Sequence, residues 1–516
     1  MSHHDATPPG PDLAVGVPLA SVPATGVLAG HVGDATVLLA RLDDGLFAVS
    51  GSCTHYGGPL AEGLVVDGQV HCPWHHACFS LRTGAALAAP AFAPLQAWRV
   101  EVVGDVVFVR GEQDDASDTA SQATARTGDA GPRRIVIVGG GAAGFAAAQR
   151  LRDLGYDGAL AMLSADSDTP YDRPNLSKDY LAGTAEEDWI PLQSPAFYRD
   201  HDIDLHLDCN VERIDVAQQQ VLATGGDAFA YDALLLATGG APITLQTPGF
   251  AHANVVTLRT LADARALIER TRNARSVVLV GGGFIGLEAA GALRARGLDV
   301  HVVAREQIPL EKVFGPQIGA FVLQLHREHD VTFHLGRNPA GYDGRLLTLD
   351  DGTRIPADIV VVGIGVQPRT QLATAAGLTV DNGIVVDARL QASRPGIYAA
   401  GDVARYPHRG EQLRIEHWVH AERQGQRAAH SMLGSDHDFD DVPFFWTHQH
   451  DVEIRYSGHA ASWDEARMDG SPDARDCTVR YFRGGRLLAA ASIGRDLENL
   501  QIEAQLREAA CAAVTA

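Results

Sequence analysis

The sequence predicts a multidomain chain in which a small all-β domain precedes two doubly wound α/β domains and a C-terminal α+β domain. Residues 13–111 consist of short apolar segments such as VLLARL and LFAVSG, separated by Gly, Asp and Pro, as in a small β domain. A buried strand, a Gly-rich turn and a helix then follow one another twice, at RIVIVGGGAAG and VVLVGGGFIG. Such alternation with apolar strands is typical of parallel, doubly wound sheets. Beyond residue 438, segments such as VEIRYSGHA again resemble antiparallel strands, and a helix follows them.

The same patterns divide the 516 residues into segments. They are a disordered tail (1–12), the all-β domain (13–111), a flexible linker (112–132), the first α/β domain in two parts (133–245 and 369–438), the second α/β domain (246–368) and the C-terminal domain (439–516). The linker, EQDDASDTASQATARTGDAGP, contains no large aliphatic or aromatic residue, so it cannot bury itself. Its length corresponds to a root-mean-square reach of roughly 25 Å.

Composition excludes several classes of partner. Lys and Arg number 42 and Asp and Glu 64, and the formal net charge of −22 argues against binding to nucleic acid or to an anionic membrane. The sequence has no run of about 18 apolar residues that could span a bilayer. The N-terminal residues lack the features of a signal peptide, so a cytoplasmic location is expected. The six cysteines form no disulfide framework of the secreted type.

Four candidate metal ligands lie in the all-β domain. Cys53-Thr-His55 and Cys72-Pro-Trp-His75 are separated by sixteen residues, and each pair lies in a segment rich in Gly or Pro. In a [2Fe–2S] centre of mixed ligation, two thiolates hold one iron and two imidazoles hold the other. A tetrahedral zinc site is the alternative. Zinc fingers, however, usually pair Cys with Cys and His with His before a helix, whereas each pair here is mixed and the context is β.

These residues, together with CPWHHACFSLRTG, resemble the Rieske [2Fe–2S] family over residues 13–110. Respiratory members of high potential carry an additional cysteine in each loop, and the two form a disulfide. Here Tyr56-Gly57 follows His55. The resemblance therefore implies the ferredoxin-type subclass of lower potential.

The two Gly-rich turns both have the form G-x-G-x-x-G. The glycines are Gly139, Gly141 and Gly144 in the first motif and Gly281, Gly283 and Gly286 in the second. Between a strand and a helix, the first glycine allows the tight turn, the second lets a pyrophosphate approach, and the third packs the helix on the strand. An acid that binds the adenosine ribose is expected about twenty residues further on. Asp166 is the candidate for the first motif, and an exposed loop aspartate is the alternative.

Three further segments, PYDRPNLSKDYL, LLLATGGAP and IYAAGDVAR, resemble the FAD-dependent pyridine nucleotide-disulfide oxidoreductase superfamily. The resemblance implies a fold of the glutathione-reductase type, with FAD at the first motif and NADH or NADPH at the second. It also implies that Asp402 contacts the ribityl–pyrophosphate region. The other residues that it implies at the FAD are Arg173, Lys178, Thr238 and Gly239.

The resemblance further implies a catalytic pair. Lys178 beside the isoalloxazine would pair with Glu288, which follows the second motif and would lie near the nicotinamide. A cation near the flavin stabilises the anionic reduced ring. A surface lysine at the start of a helix is the alternative for Lys178.

The segment VHVVAREQIP does not by itself decide whether the nicotinamide cofactor is NADH or NADPH. The strand ends at Ala304, where many NADH enzymes have an acid. Arg305 could bind a 2′-phosphate, whereas Glu306, twenty residues beyond Gly286, could bind a free 2′-hydroxyl. The pattern favours NADH over NADPH.

No Cys-x-x-Cys or Cys-x₄-Cys pair follows either motif, which argues against disulfide reduction. The combination with an N-terminal Rieske-like domain most resembles the apoptosis-inducing-factor-like and oxygenase-type ferredoxin reductase branch. This implies an enzyme that passes electrons from NAD(P)H through FAD to the Rieske cluster, and on to a redox protein or small molecule that the sequence does not identify. The alternatives are the ferredoxin reductase of an oxygenase system, and a redox-signalling protein whose C-terminal domain allows a homodimer. In a further alternative, the cluster is a sensor and not the relay.

Overall fold

The computed structural model describes residues 10–113 and 131–514, with side chains up to residue 509 in the last helix. Its chain forms two compact units. Unit 1 comprises Met1–Arg126 and Arg495–Ala509, and unit 2 comprises Thr127–Gly494 and Ala510–Ala516. Most of the predicted tail (1–12) and of the predicted linker (112–132) lies outside the described residues, so both remain predictions.

Unit 1 contains two antiparallel sheets. The six-stranded sheet has the order Val17–Pro18, Val106–Glu112, Ala97–Val103, Gly45–Ser50, Ala35–Leu42 and Val27–Val32. The four-stranded sheet has the order Leu64–Val66, Gln69–His71, Cys78–Ser80 and Ala86–Ala88.

The strand Ala35–Leu42 of the six-stranded sheet in unit 1 is apolar on both faces. Val37 and Leu39 belong to one hydrophobic cluster and Leu38 to another, because successive side chains of a strand point to opposite faces. The cluster around Leu38 also contains Cys53 and Cys72. The loops that carry the candidate metal ligands are therefore anchored in a hydrophobic core.

The last helix, Asp496–Val514, is called the C-terminal helix below, and its residues up to Ala509 belong to unit 1. Leu500, Ile502 and Leu506 are buried on it. Ile502 and Leu506 are four residues apart and lie on one face of the helix, whereas Leu500 is buried on another face.

Unit 2 contains two five-stranded parallel sheets. The first has the order Ile203–His206, Ala159–Leu163, Arg134–Val138, Ala233–Leu236 and Ile397–Ala399. The second has the order Val255–Val256, Ile359–Val362, Ser276–Val280, Asp299–Ala304 and Val331–Leu335. The helices of this unit are Ala142–Asp153, Asp179–Ala182, Pro195–Asp200, Leu261–Thr271, Phe284–Ala295, Glu311–Glu328, Gln371–Ala375 and Trp418–Met432. Both central strands are buried along nearly their whole length, as parallel sheets covered by helices require.

Unit 2 also contains four smaller sheets among its described residues. Their strands are Val211–Asp215, Gln220–Ala223 and Ala228–Ala230; Gly240–Pro242 and Val366–Pro368; Pro339–Tyr342, Leu346–Leu349 and Arg354–Pro356; and Ile384–Val385, Ala404–His408 and Glu411–Leu413. The sheet near the end of unit 2 is antiparallel, with the order Phe444–Gln449, Val452–Gly458, Arg486–Ile493, Asp476–Arg483 and Glu465–Ser471.

The predicted fold class is confirmed: an all-β domain precedes two parallel α/β sheets, and an antiparallel sheet follows them. Within the described part of the chain, no helix is both long and apolar enough to cross a bilayer.

Candidate functional site

Two tight turns in unit 1 carry the four predicted metal ligands. In the first, the N–H of Cys53 donates to the oxygen of Gly58 at 2.9 Å and the N–H of Gly57 donates back to Cys53 at 2.8 Å. In the second, the N–H of Cys72 donates to Ala77 at 2.8 Å. The side chains of Cys53, Cys72 and His75 are buried, and that of His55 is half-buried. Backbone hydrogen bonds thus close the turn that carries each pair of ligands.

In these two turns, the two imidazoles lie next to each other and the two thiols lie next to each other. The Nδ1 atoms of His55 and His75 lie 3.2 Å apart. The pKa of the Cys53 thiol is raised, first by its hydrogen bond with the Cys72 thiol and then by burial. A pair of thiols beside a pair of imidazoles fits a two-iron cluster better than one tetrahedral zinc.

Two further features fit the cluster. A Cβ atom built on Gly58 would lie 2.7 Å from Sγ of Cys72, so this position must be glycine for the thiol to approach the first turn. Burial lowers the pKa of His55 to about 4, which keeps its imidazole neutral near pH 7. An iron ligand must be a neutral imidazole.

In unit 2, the first glycine motif has the geometry of a pyrophosphate site. A Cβ on Gly144 would lie 1.9 Å from the oxygen of Gly139, so only glycine lets the helix pack here. Gly139 has φ 118°, a value that side chains rarely allow. Gly141 precedes the helix Ala142–Asp153, and its added Cβ would reach only the guanidinium of Arg173, 3.7 Å away. The N-terminus of this helix is therefore open toward a cation, as anion binding requires.

Three arginines converge beside this helix end. Arg173 is half-buried, and its Nε has no hydrogen-bond partner among the described residues. Burial is the main cause that lowers the pKa of Arg173, and the positive charge of the nearby Arg259 lowers it further. Burial and Arg259 likewise lower the pKa of Arg369. Like charges so close together, with one orphaned donor, fit a bound polyanion such as the pyrophosphate of FAD.

The other predicted FAD residues line the same region. Asp166 accepts a hydrogen bond from the hydroxyl of Tyr171 at 2.7 Å, and Thr238 donates to the oxygen of Arg369 at 2.7 Å. Asp166, Thr238 and Gly239 line a cavity of about 770 Å³. Asp402 lines a second cavity of about 440 Å³ and accepts a 2.8 Å bond from Nη2 of Arg259. The two cavities share Gly141, Arg173 and Arg259, so they are adjacent.

The second motif repeats the geometry of the first. Gly281 has φ 119°, and a Cβ on Gly286 would lie 2.5 Å from the oxygen of Gly281. Gly283 caps the helix Phe284–Ala295, and a Cβ there would meet no described atom within 4 Å. This helix end also lines the cavity of about 440 Å³. The cavity therefore lies between the two dinucleotide-binding motifs.

Lys178 and Glu288 meet in this cavity. Nζ of Lys178 donates to Oε2 of Glu288 at 2.9 Å, and the side chains are 13% and 4% exposed. Ser177 donates to the same oxygen at 2.6 Å, and Thr447 donates to Oε1 at 2.7 Å. Three side-chain donors therefore converge on this one carboxylate. The lysine is therefore part of a buried ion pair and is not a surface residue.

The two residues predicted to distinguish NADH from NADPH lie elsewhere. The side chain of Arg305 is 74% exposed, and its Nε donates to Oε1 of Glu306 at 3.0 Å. Neither residue lines the two cavities described above. A Cβ on Gly282 would lie 3.1 Å from the Cβ of Ala304, so the glycine turn packs directly on the end of that strand.

Comparison with known families identifies each part of the chain. The pyridine nucleotide-disulphide oxidoreductase family matches residues 133–425. The chain belongs to this family. The Rieske [2Fe-2S] domain matches residues 17–99 of this oxidoreductase, and the reductase C-terminal domain matches residues 444–514.

The oxidoreductase is similar to several characterised proteins. It is 32% identical over 487 residues to human apoptosis-inducing factor 3, covering 90% of this chain and 79% of that protein. It is 38% identical to the ferredoxin–NAD(+) reductase component of the anthranilate 1,2-dioxygenase system of Burkholderia cepacia, covering 70% and 92%. Among solved structures, the covalent putidaredoxin reductase–putidaredoxin complex matches with a TM-score of 0.71 and 34% identity, covering 73% and 93%.

Family membership settles the cofactors of the oxidoreductase. The pyridine nucleotide-disulphide oxidoreductase domain uses FAD and NAD(P)H, and the Rieske domain carries a [2Fe–2S] cluster. The two cavities with their arginines and the paired thiols and imidazoles fit these groups.

Sequence reasoning missed several residues of the site. Arg259 and Arg369 belong to no motif, and Thr447 lies in the C-terminal domain. Trp418 and Ala421, at the start of the helix Trp418–Met432, also line the smaller cavity. The only sequence signal was the position of Arg369, soon after the buried strand Ile359–Val362, since ligands bind beyond the carboxyl ends of parallel strands.

Proposed function

We propose that this oxidoreductase takes electrons from NAD(P)H and passes them through FAD to its own [2Fe–2S] cluster, which delivers them singly to an acceptor. The Lys178–Glu288 ion pair carries this proposal, because it lies in the cavity between the FAD motif and the NAD(P)H motif. When bound, FAD accepts a hydride and releases electrons one at a time, and a Rieske cluster carries single electrons.

The residues of the chain bind and orient the cofactors. The first-motif glycines, Arg173, Thr238, Gly239 and Asp402 would hold FAD, and Asp166 would bind its adenosine ribose. Gly281, Gly283 and Gly286 would hold the pyrophosphate of NAD(P)H. Lys178 would place a positive charge beside the flavin, and Glu288 would fix the position of that charge.

The four ligands of the cluster would be Cys53, His55, Cys72 and His75. Glu306 would bind the free 2′-hydroxyl of NADH, and Arg305 would bind the 2′-phosphate if NADPH is used. We also propose that the acceptor is a redox protein or small molecule, that the enzyme acts in the cytoplasm, and that its C-terminal domain allows a homodimer.

Removing one cluster ligand tests the relay. In Cys72→Ser, NADH should still reduce the flavin at the wild-type rate, because unit 2 contains every residue proposed for hydride transfer. The rate of reduction of cytochrome c, used as a one-electron probe, should fall at least about tenfold. This corresponds to an activation free energy that is higher by roughly 1.4 kcal/mol. Anaerobic stopped-flow spectroscopy measures the first rate and steady-state assays measure the second.

Cys78→Ser is the matched control. This cysteine is also buried and lies six residues further on, and its Sγ donates to Oε1 of Gln69 at 3.0 Å, a bond that serine can retain. The control should keep the cluster and the cytochrome c rate. If Cys72→Ser loses the cluster yet reduces cytochrome c as fast as Cys78→Ser, the cluster is not the relay.

A second candidate is a reductase that serves a separate iron–sulfur protein directly from FAD. The similarity to the reductase in the putidaredoxin complex favours it. In that case, Cys72→Ser should reduce an added [2Fe–2S] ferredoxin as fast as the wild-type protein. A loss of this activity together with the cluster would support the internal relay instead.

A further inference from the structure

Unit 1 is assembled from the two ends of the chain. The C-terminal helix follows the last strand of the antiparallel sheet in unit 2, yet Arg495–Ala509 group with the N-terminal residues. Glu503 lies on this helix and, at 4% exposure, is buried, as are Leu500 and Leu506 on the same helix. A buried carboxylate is costly unless it has partners.

The partner of Glu503 is next to a cluster ligand. Its Oε2 is hydrogen-bonded to Nδ1 of His76, 427 residues away in the chain, and its Oε1 accepts a 2.9 Å bond from Nη2 of Arg507. His76 is 0% exposed. The carboxylate therefore links the C-terminal helix to the second cluster loop inside unit 1.

His76 has an unusual backbone. Its φ is 61°, in the left-handed region that histidine adopts only infrequently, and its N–H donates to the oxygen of Cys72 at 3.1 Å. Such a conformation persists only where the surrounding structure holds it. This turn contains both Cys72 and His75, so whatever holds His76 also fixes the second pair of ligands.

We propose that Glu503 is a positioning residue for the [2Fe–2S] cluster. By holding His76 it fixes the loop of Cys72 and His75, and its negative charge lowers the reduction potential of the cluster. A negative charge in a buried environment disfavours the addition of an electron nearby, since electrostatic effects there are weakly screened. The inference depends on the cluster of the Rieske domain and not on the relay from FAD.

Glu503→Gln tests the charge. Glutamine keeps the shape and an acceptor for His76 but removes the negative charge. We expect the midpoint potential of the cluster to shift to a more positive value, with an electron paramagnetic resonance signal of the mixed Cys and His ligand set. The full-length protein is titrated with dithionite and mediators, so neither NADH nor hydride transfer enters the measurement.

Glu503→Ala tests the positioning. It removes both the charge and the hydrogen bond, so the resonance signal should broaden and the cluster should be lost faster on storage than in Glu503→Gln. Glu508→Gln is the control, because Glu508 is exposed on the same helix. It should leave the midpoint potential, the spectrum and the rate of cluster loss unchanged.

Two outcomes would overturn the proposal. One is a folded Glu503→Gln protein whose midpoint potential equals that of Glu508→Gln. The other is a Glu503→Ala protein whose spectrum and cluster stability match the wild type. If Glu503→Ala does not fold, the Glu503→Gln measurement decides alone. A failed relay would leave these dithionite titrations unaffected, so the two proposals are tested separately.

Discussion

At the scale of single residues, the Lys178–Glu288 pair shows how a buried charge is retained. Transferring both charges out of water costs several kcal/mol for each ion, and their mutual attraction offsets this only with good geometry and additional hydrogen bonds. Ser177 and Thr447 donate those additional bonds to the carboxylate. The pair is therefore held in one position, which suits the cation that we propose beside the flavin.

A double-mutant cycle tests this arrangement. Lys178→Met should leave Glu288 as a buried, uncompensated charge and destabilise the protein by about 3–5 kcal/mol. Adding Glu288→Gln should recover part of this loss, with a coupling energy of about 1–3 kcal/mol. Hydride transfer from NADH should slow in both variants by about 10- to 100-fold, because the cation is lost. Chemical denaturation and anaerobic stopped-flow spectroscopy measure the two effects.

Lys312→Met is the control for this cycle, because Lys312 is an exposed lysine of the same unit. It should change neither stability nor the rate of hydride transfer. Strictly additive effects of the Lys178 and Glu288 substitutions would contradict the coupling.

Sequence spacing pointed to the ligand and glycine positions because each is local. Cys53 and His55 are two residues apart, and the glycines occupy one turn. Arg259 and Thr447 could not be predicted in this way. Each reaches the site from a distant segment, and only the folded chain brings them to Asp402 and Glu288, respectively.

At the scale of elements, the strand–turn–helix unit was predictable from the sequence. In the second motif, one glycine leaves space for a ligand and another allows the helix to pack on the turn. Gly283→Ala should fold normally, because its added methyl group meets no described atom within 4 Å. That methyl group would occupy the helix end proposed for the NAD(P)H phosphates. We expect the KM for NADH to rise about tenfold, which corresponds to a loss of roughly 1.4 kcal/mol of binding free energy. The FAD content should be unchanged.

Gly286→Ala is the matched comparison. Its Cβ would lie 2.5 Å from the oxygen of Gly281, so the substitution should lower the thermal midpoint of unfolding. Steady-state kinetics and thermal unfolding distinguish the two variants. An unchanged KM in Gly283→Ala would place the phosphates away from this helix end.

A histidine contact joins two elements of unit 2 and predicts a pH dependence. Nδ1 of His326, on the helix Glu311–Glu328, lies 3.0 Å from Nε2 of His450, and its Nε2 lies 2.8 Å from Oε1 of Gln449. Burial is the main cause that lowers the pKa of His326 to about 4 and of His450 to about 3. Histidine in the unfolded chain has a pKa near 6.5, so below that pH the unfolded state binds more protons. The stabilisation is therefore complete above pH 6.5 or so and decreases as the pH falls toward 4.

Replacing both histidines tests this dependence. Between about pH 6.5 and 4.5, the wild type should lose roughly 1–3 kcal/mol more stability than His326→Gln/His450→Gln. His437→Gln, at an exposed position, should follow the wild type. The readout is denaturant unfolding of unit 2 at several pH values. Parallel pH curves for the wild type and the double variant would show that the pair contributes nothing.

At the scale of the whole molecule, the order of domains follows from changes in periodicity along the chain, from short β segments to strand–helix alternation. The grouping of the C-terminal helix with unit 1 does not follow from any local pattern. His76 and Glu503 are 427 residues apart, and nothing near either residue indicates the other. The predicted boundaries, including the linker at 112–132, remain predictions.

The internal relay makes a final prediction about the number of electrons that one chain accepts. FAD takes two electrons and a [2Fe–2S] cluster takes one, whereas NADH donates two. Anaerobic titration of the wild type should therefore end at about 1.5 equivalents of NADH per chain, and that of Cys72→Ser at about one equivalent. Visible absorption follows the flavin, and electron paramagnetic resonance follows the cluster. A wild-type end point at one equivalent, with the cluster still oxidised, would show that electrons from NADH stop at the flavin.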